Sequence, residues 1–393
     1  MKINRRNLLK SGVLSIGSMA VAPYLRAGAF ANAPLPLDAA GRIYYSPMVR
    51  EYFLDEMPEF KSMIRIGANE NPYGPPPSAR EAIVKAVADG GGNRYSWQEM
   101  AVLVGNIAKK EGVAPENIMM GPGSSDLLEK TALVLCANGG NVVSADPTYM
   151  SLIRVAESVG ASWKAIPCKA DWSHDLEAME KAVDKDTKLV YVCNPNNPVG
   201  SLTDTQALMD FCSRVSEKVP VFVDEAYLEL AQGATGSMVS LLNKNKNVIV
   251  ARTFSKIMGM AGLRVGYIAG LKPTLDQIQK ITRGGMGISF TSIMAATAAL
   301  GDTGFQEMSA VENRKVKEYL CTNLKAMGYD YIPSYTNFVI FPIEMNGKEF
   351  LKKMSEKGIA VRSFDILNKP WCRVSIGTMD EIRQFVSTLK GIA

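Results

Sequence analysis

The segment "ARTFSKIMGMAGLRVGY" (residues 251–267) follows the short apolar run 248–250 and contains a single lysine, Lys256. Small and apolar residues surround this lysine, and Arg264 lies eight positions further on. An ammonium group is costly to bury unless it is paired or neutralised. Either Lys256 lies on a surface loop and extends into solvent, or its amine forms a covalent bond to a carbonyl compound.

The apolar run is one of several short β-rich runs that alternate with longer helical patterns. This alternation predicts an α/β fold with a mostly parallel sheet flanked by helices. The predicted strands are 118–121, 141–144, 189–193, 219–223, 247–251 and 265–269, and the predicted helices are 125–136, 149–159, 204–215 and 273–282. Polar or Gly/Pro-rich segments come just after strands, at the edge where open α/β sheets bind ligands.

The length of 393 residues favours a large domain plus a smaller one. A long helical pattern over 291–327, followed by separated strand-like segments, predicts a smaller α+β domain, joined by residues before about 90. We therefore divide the chain into four regions. These are a signal peptide (1–31), an N-terminal segment with part of the small domain (32–90), a large ligand-binding domain (91–288) and a C-terminal small domain (289–393).

The N-terminus has the features of an export signal. Arg5 and Arg6 precede the mildly apolar "SGVLSIGSMAVAPYL", and the small-residue site Ala29-Phe30-Ala31 closes the segment. This order predicts export by the twin-arginine route and a periplasmic or secreted protein, although an amphipathic first helix is the alternative. No later segment has the length and apolarity of a membrane span.

The net charge gives no reason to expect a nucleic-acid partner. The formal charge is +5, and cleavage after Ala31 would remove five basic residues and no acidic one, which leaves 5 − 5 = 0. The basic character therefore belongs to the predicted signal.

The cysteines and the single histidine argue against a metal enzyme. The six cysteines form no CxxC pair or metal-like cluster, and His174 precedes a helix-like run. This pattern disfavours a zinc site and a Ser-His-Asp hydrolase. We expect no metal, free and mostly buried cysteines, and His174 near the start of a helix.

The segment "MGPGSSDLLEK" (120–130) predicts an anion site. Two glycines allow a tight turn after a strand, and Ser124 and Ser125 begin a helix, so free backbone N–H groups and hydroxyls could bind a phosphate. Alternatively, Ser125 caps the helix. Thr253, Ser255 and Arg264 of the opening segment could reach the same phosphate.

Two further segments carry polar groups after apolar strands. "NPNNPVG" (194–200) forms a rigid loop that presents amide side chains, although an isolated Asn-Pro would be read as an Asx turn. "VPVFVDEAY" (219–227) leads directly into Asp224, Glu225 and Tyr227. A carboxylate at the end of a buried strand needs a cationic partner or a protonated nitrogen, and a metal site here lacks companion ligands.

These elements together resemble the fold-type I pyridoxal-phosphate enzymes, the class I/II aminotransferases, and most closely the histidinol-phosphate aminotransferase group. The resemblance extends from "ANENPYGPPPSA" (68–79) to "RVSIGT" (373–378), with the motifs in the family order. It implies a large domain with a mostly parallel sheet and a smaller α+β domain. It also implies pyridoxal 5'-phosphate as the cofactor and exchange of an amino group between an L-amino acid, or a related amine, and a 2-oxo acid.

The resemblance also implies roles for residues that contact the cofactor ring. Lys256 would bond to the cofactor aldehyde and later move a proton. Asp224 would pair with the pyridinium nitrogen, and Asn197 and Tyr227 would hydrogen-bond the ring oxygen. Tyr149 would stack on the ring.

Other roles follow for the phosphate and the substrate. The implied phosphate-binding residues are Ser124, Ser125, Thr253, Ser255, Arg264 and, from a second subunit, Tyr95, which makes a homodimer the expected assembly. Arg373 would bind the substrate α-carboxylate as a bidentate fork, although a lone arginine is more often a surface or ion-pair residue. Asn197 also lies in the implied substrate site, and Tyr73 either lines it or packs in a turn.

Two other functions remain open at the level of sequence. The same cofactor supports racemisation, decarboxylation or elimination, and nothing near Lys256 separates these reactions from transamination. A non-catalytic sensor built on this domain is the third reading. The identities of the amino donor and acceptor stay open.

Overall fold

The computed structural model describes residues 43–44, 48–52, 54, 63–231, 233–282 and 284–392. The predicted signal peptide, 1–31, lies outside these residues. The strands are β1 (Ile43–Tyr44), β2 (Val49–Tyr52), β3 (Ile64–Arg65), β4 (Ile118–Gly121), β5 (Asn141–Asp146), β6 (Ser162–Pro167), β7 (Thr187–Cys193), β8 (Val221–Asp224), β9 (Val248–Thr253), β10 (Gly266–Gly270), β11 (Phe338–Pro342), β12 (Ile359–Ala360), β13 (Arg362–Ile366) and β14 (Lys369–Ser375).

The α-helices are connected to these strands by short turns and 3-10 segments. They are α1 (Pro77–Ala88), α2 (Trp97–Glu111), α3 (Ser124–Leu135), α4 (Ser151–Ser158), α5 (Leu176–Ala182), α6 (Thr205–Val215), α7 (Lys272–Gln279), α8 (Phe290–Gly301), α9 (Thr303–Ala326), α10 (Gly347–Glu356) and α11 (Met379–Ile392). Within the described residues, no helix is both long and apolar enough to cross a bilayer.

The larger sheet has seven strands within the described residues, in the order β4-β10-β9-β8-β7-β5-β6. Strands β6, β5, β7, β8 and β9 pair in parallel, and β10 pairs antiparallel with both β9 and β4. Every residue of β5, β8 and β9 is buried, because helices cover both faces of the sheet. The predicted α/β fold with a mostly parallel sheet is confirmed.

The smaller sheet combines distant parts of the sequence. Its order is β1-β2-β13-β14-β11, with antiparallel pairing throughout, and β3 pairs with β12 in a separate parallel ribbon. Its core includes Leu320, Phe341 and Phe385, from α9, β11 and α11. Segments before residue 90 thus complete a sheet whose other strands come from the C-terminal part of the chain.

The predicted helical pattern over 291–327 is two helices, α8 and α9. Asp302 separates them, and its side chain accepts a hydrogen bond from the backbone N–H of Phe305, so it caps α9. Helix α8 packs against α1 next to the large sheet, and α9 contributes to the small core. The proposed boundaries at residues 90 and 288 stay predictions.

The six cysteines are free, and four of them are buried. His174 is also buried, directly before Asp175, which caps α5, and its Nδ1 atom lies 2.6 Å from Thr203 Oγ1. Both observations agree with the expectations from sequence.

Candidate active site

A cleft of about 810 Å³ lies where the carboxyl ends of strands in the large sheet meet the small sheet. Strands β7, β8 and β9 end here, as expected for the ligand edge of an open α/β sheet. The structure brings together at this cleft most of the residues that the sequence singled out. These are Ser124, Ser125, Tyr149, Asn197, Asp224, Tyr227, Thr253, Ser255, Lys256, Arg264 and Arg373.

Lys256 lies in the cleft, three residues after the end of β9. Its half-buried side chain donates a hydrogen bond from Nζ to the carbonyl oxygen of Asn69, at 2.9 Å. Burial, with a smaller contribution from the positive charge of Arg373, lowers the pKa of Lys256 to about 8. An amine that loses its proton this easily is suited to bonding with a carbonyl group, so Lys256 is not an ordinary surface lysine.

Asp224 is the last residue of β8, and its carboxylate is buried. It accepts hydrogen bonds from the Ala226 N–H, at 3.1 Å, and from the Tyr191 hydroxyl, at 3.4 Å. Burial nevertheless raises the pKa of Asp224 to about 6, because both of these donors are uncharged. A protonated ring nitrogen would supply the positive charge that this carboxylate lacks.

The N-terminus of α3 forms one end of the cleft. Gly123 precedes the helix with φ +90°, and a Cβ atom there would clash with Nη2 of Arg264. Glycine therefore lets the guanidinium approach the helix terminus. No side chain caps this helix, so the hydroxyls of Ser124 and Ser125 are not used as caps. The free N–H groups, the hydroxyls and Arg264 make a donor set for a phosphate.

Two hydroxyl pairs extend this donor set. Thr253 Oγ1 donates to Ser255 Oγ at 2.9 Å and accepts from the Ser255 N–H at 3.1 Å, so the turn after β9 is fixed locally. Ser125 Oγ lies 3.3 Å from the Tyr149 hydroxyl. The tyrosine is therefore held beside the helix terminus, at the edge of the space that a planar ring would need.

Arg373, on β14, is buried and has only uncharged acceptors. Its Nη1 donates to Asn197 Oδ1 at 2.8 Å and its Nη2 to the Gly67 carbonyl at 3.4 Å, while its Nε has no hydrogen-bond partner among the described residues. The guanidinium carbon lies 5.1 Å and 5.3 Å from the ring centroids of Phe338 and Phe364. Burial and the nearby Arg362 lower the pKa of Arg373 to about 10, so an anionic ligand would stabilise this side chain.

Tyr227 is buried between the two halves of the cleft. Its hydroxyl accepts a hydrogen bond from Asn69 Nδ2 at 3.0 Å, and its ring packs edge-on against Phe338. Burial raises the pKa of the Tyr227 phenol, so the hydroxyl keeps its proton and can donate it to a ligand oxygen.

Tyr95 and Tyr73 lie outside this cleft. Tyr95 is 75% exposed and its ring contacts that of Trp97. Tyr73 lines a separate small cavity that Lys256 also borders, and its backbone N–H bonds to Asn71 Oδ1 in a local turn. In this chain, therefore, neither tyrosine reaches the phosphate end of the cleft.

Several cleft residues were not found from the sequence. Asn69 belongs to the quoted segment 68–79 and bonds to both Lys256 and Tyr227, so its motif was visible although its role was not. Arg154 on α4 and Arg362 on β13 also line the cleft. Nothing in the local pattern of a helix or a short strand distinguishes these arginines from surface residues.

The chemistry of the cleft fits pyridoxal 5'-phosphate. A lysine with a lowered pKa, a buried carboxylate without a cationic donor, and a phosphate donor set built around a glycine all line one cavity. These are the groups needed for the aldehyde, the ring nitrogen and the phosphate of that cofactor.

Comparisons with known proteins agree with this chemistry. Residues 61–389 match the family model described as aminotransferase class I and II. Histidinol-phosphate aminotransferase 1 of Cupriavidus pinatubonensis is 35% identical over 351 residues, which cover 88% of this chain and 91% of that protein. The enzyme of the same name from Moorella thermoacetica is 34% identical over 84% of this chain and 86% of its own length.

A solved structure gives the same result. The histidinol-phosphate aminotransferase from Sinorhizobium meliloti, in complex with pyridoxal-5'-phosphate, superposes with a TM-score of 0.77 at 30% identity, over 85% of this chain and 92% of that one. The chain belongs to the class I and II aminotransferases and is a pyridoxal-phosphate-dependent enzyme of that family.

Proposed function

We propose that Lys256, Asp224 and Arg373 carry the amino-group transfer between an amino acid, or a related amine, and a 2-oxo acid. The observation that supports this most directly is the position of Lys256 in one cleft with a buried carboxylate and a buried guanidinium. The bound cofactor supplies an aldehyde that takes up the amino group and an electron-poor ring that accepts the electron pair of the broken C–H bond.

Lys256 acts as the acid–base group in this proposal. Its Nζ atom, with a pKa of about 8, accepts the proton that leaves the substrate Cα atom. It then donates this proton to the cofactor carbon atom that carries the amino group. Asp224 keeps the cofactor's ring nitrogen protonated. Tyr227 and Asn197 bind the ring oxygen, and Tyr149 covers one face of the ring.

Arg373 orients the substrate. Its guanidinium binds the α-carboxylate in a bidentate manner. The carboxylate gives the Nε atom the hydrogen-bond partner that it lacks among the described residues, and it is an anionic acceptor where Arg373 otherwise has only uncharged ones. Asn197 contacts Arg373 at 2.8 Å and therefore links the substrate carboxylate to the cofactor ring. Ser124, Ser125, Thr253, Ser255 and Arg264 hold the phosphate end.

Half-reaction spectroscopy tests this function. Purified holoenzyme is mixed with one amino acid or amine at a time, and the cofactor's absorbance is followed without a 2-oxo acid. A stoichiometric shift from the aldehyde to the amine form of the cofactor, reversed by a 2-oxo acid, is the expected result. Lys256→Ala should lower the rate of the shift by about 10⁴-fold. Loss of CO₂ or racemisation of the donor without this shift would reject transamination.

The proposed assembly is a homodimer in which Tyr95 of one subunit reaches the phosphate end of the other subunit's cleft. Exposed apolar side chains on and between α1 and α2 support it, namely Val84, Val87, Tyr95, Trp97 and Val102. Exposed apolar side chains that form a contiguous patch are typical of subunit contacts. A mixing experiment for this arrangement is given below, at the scale of the whole molecule.

The proposed location is the periplasm or the exterior, reached by the twin-arginine route. Arg5 and Arg6 before an apolar segment support this route. A cofactor held by a covalent bond and a phosphate site is best installed before export, and this route carries folded proteins. Replacing both arginines by lysine should keep the enzyme in the cytoplasm, as measured by fractionation, and continued export of that variant would reject the proposal.

A further inference from the structure

One wall of the cleft is a face of the small sheet that carries several charged side chains. Val49, Arg362, Phe364 and Arg373 line the cleft from strands β2, β13 and β14. Glu51 lies two residues after Val49 on β2, hence on the same face, and it pairs across the sheet with Phe364. A buried carboxylate therefore lies within this wall, next to the residues that line the cleft.

Glu51 is 1% exposed and forms an ion pair with Arg362, whose Nη1 lies 3.1 Å from its Oε1. Its other oxygen, Oε2, has no hydrogen-bond partner among the described residues. The Arg362 side chain is 41% exposed, so it can still contact a ligand in the cleft. The pair thus presents an accessible guanidinium that has a carboxylate partner within the protein, and the same carboxylate also interacts with Arg373 and Arg154.

Arg373 and Arg362 would then bind different groups of the substrate. In the proposed function, Arg373 takes the α-carboxylate of the substrate. A second anionic group that binds Arg362 would meet the Glu51 carboxylate as a competitor of like charge, and Arg154, which also lines the cleft, is close enough to interact with the same carboxylate. The uncharged part of a side chain can instead pack on Phe364 and Val49, which also line this wall.

We propose that Glu51 is a specificity-determining residue, which pairs with Arg362 and so makes the cleft favour substrates with an uncharged side chain over substrates with a second anionic group. This inference rests on the proposed function only in assigning the α-carboxylate to Arg373. It assigns Glu51 no part in the chemistry of the transfer.

Two unreactive ligands of equal length test the proposal on the holoenzyme. Glutarate has two carboxylates, and glutaramate has one carboxylate and one amide. Their dissociation constants are measured by calorimetry or by the change in the cofactor's absorbance. Glu51→Gln should shift the preference toward glutarate by about tenfold relative to the wild type. The double variant Glu51→Gln with Arg362→Gln should lose this gain.

Two more variants make the result interpretable. Arg362→Gln alone leaves Glu51 unpaired, so discrimination against glutarate should increase, which gives a second readout if Glu51→Gln folds poorly. Glu349→Gln removes an exposed carboxylate that pairs with Lys353 on the surface of α10, and the preference should stay unchanged.

Three outcomes would contradict the proposed role of Glu51. A preference within about twofold of the wild type in Glu51→Gln, equal weakening of both ligands, or no measurable glutarate binding by that variant overturns the proposal. Equal weakening would mean that Glu51 only orients Arg362. A holoenzyme that transfers amino groups but shows one of these results rejects the role of Glu51 alone, whereas failure of the half-reaction rejects the proposed function.

Discussion

The burial of Asp224 has a free-energy cost that a protonated ring nitrogen of the bound cofactor would offset. Its pKa in the folded protein is about 6, above the ordinary value of 3.8, because burial disfavours the charged carboxylate. A raised pKa means that the folded state binds more protons between these two pH values. The contribution of Asp224 to stability is therefore fully present below pH 3.8 and is lost as the pH rises through about 6.

We expect Asp224→Asn to stabilise the apoprotein at pH 7.5 by up to about 3 kcal/mol, because the amide carries no charge to desolvate. The gain should vanish near pH 4. The same variant should transfer amino groups at least about a hundredfold more slowly, since the ring nitrogen loses its anionic partner. Urea unfolding of apoprotein at both pH values measures the first effect, and the half-reaction rate measures the second.

Asp276→Asn is the control for this prediction. Asp276 pairs with Lys272 on the surface of α7, so its removal should change stability little at either pH. Equal destabilisation of Asp224→Asn at both pH values would show that the hydrogen bonds from Ala226 and Tyr191 outweigh the burial of charge.

The position of a residue could be predicted from the sequence where a motif and the end of a strand determine it. Asp224 is the last residue of β8 and Lys256 follows the neighbouring strand β9, so their meeting at one edge of the sheet follows from the fold. Glu51 and Arg362 were not predictable. Their contact depends on the pairing of β2 with β13, which joins segments more than 300 residues apart.

At the scale of elements, the predicted strands were those with both faces buried. The core strands β7, β8 and β9 contain the apolar runs "LVYVC", "VFV" and "VIVA", whereas β6 at the sheet edge, with the sequence "SWKAIP", has partly exposed residues and no such run. The antiparallel direction of β10 was not visible either, because a strand's pattern of burial is the same in both directions.

The break between α8 and α9 was missed although the sequence contains a signal for it. Asp302 lies between Gly301 and Thr303-Gly304, a pattern typical of helix ends, and residues 291–327 were nevertheless interpreted as one helical pattern. The hydrogen bond from the Phe305 N–H shows that Asp302 caps α9. Because the chain changes direction at Asp302, α9 contributes to the core beneath the small sheet.

At the scale of the whole molecule, the sequence predicted a large domain, a smaller one and a ligand site at the strand ends of the large sheet, and the proposed homodimer makes a further testable prediction. If each cleft takes Lys256 from one subunit and Tyr95 from the other, subunits carrying Lys256→Ala and Tyr95→Ala complement each other. Each heterodimer then holds one intact site. An equal mixture formed by co-expression should recover about a quarter of the wild-type activity per subunit, because half of the dimers are mixed.

The controls are the two single variants and a third tyrosine. Lys256→Ala and Tyr95→Ala alone should each retain less than about a tenth of the activity. Tyr335→Ala changes another exposed tyrosine, for which no contact across the dimer is proposed, and should be active on its own. A mixture no more active than the average of its separate components would contradict a shared site.

The carbonyl oxygen of Asn69 receives hydrogen bonds from two sides, from Lys256 Nζ at 2.9 Å and from Asn337 Nδ2 at 3.0 Å. Asn337 precedes β11 of the small sheet, whereas Lys256 follows β9 of the large one. Once the amine is committed to a covalent bond, it no longer donates to this oxygen, and Asn337 still does. The Asn69 carbonyl oxygen would then be bonded to the small-sheet side alone, while the Asn69 side chain still donates to Tyr227, so cofactor loading changes the partners of one oxygen and leaves the segment attached on both sides.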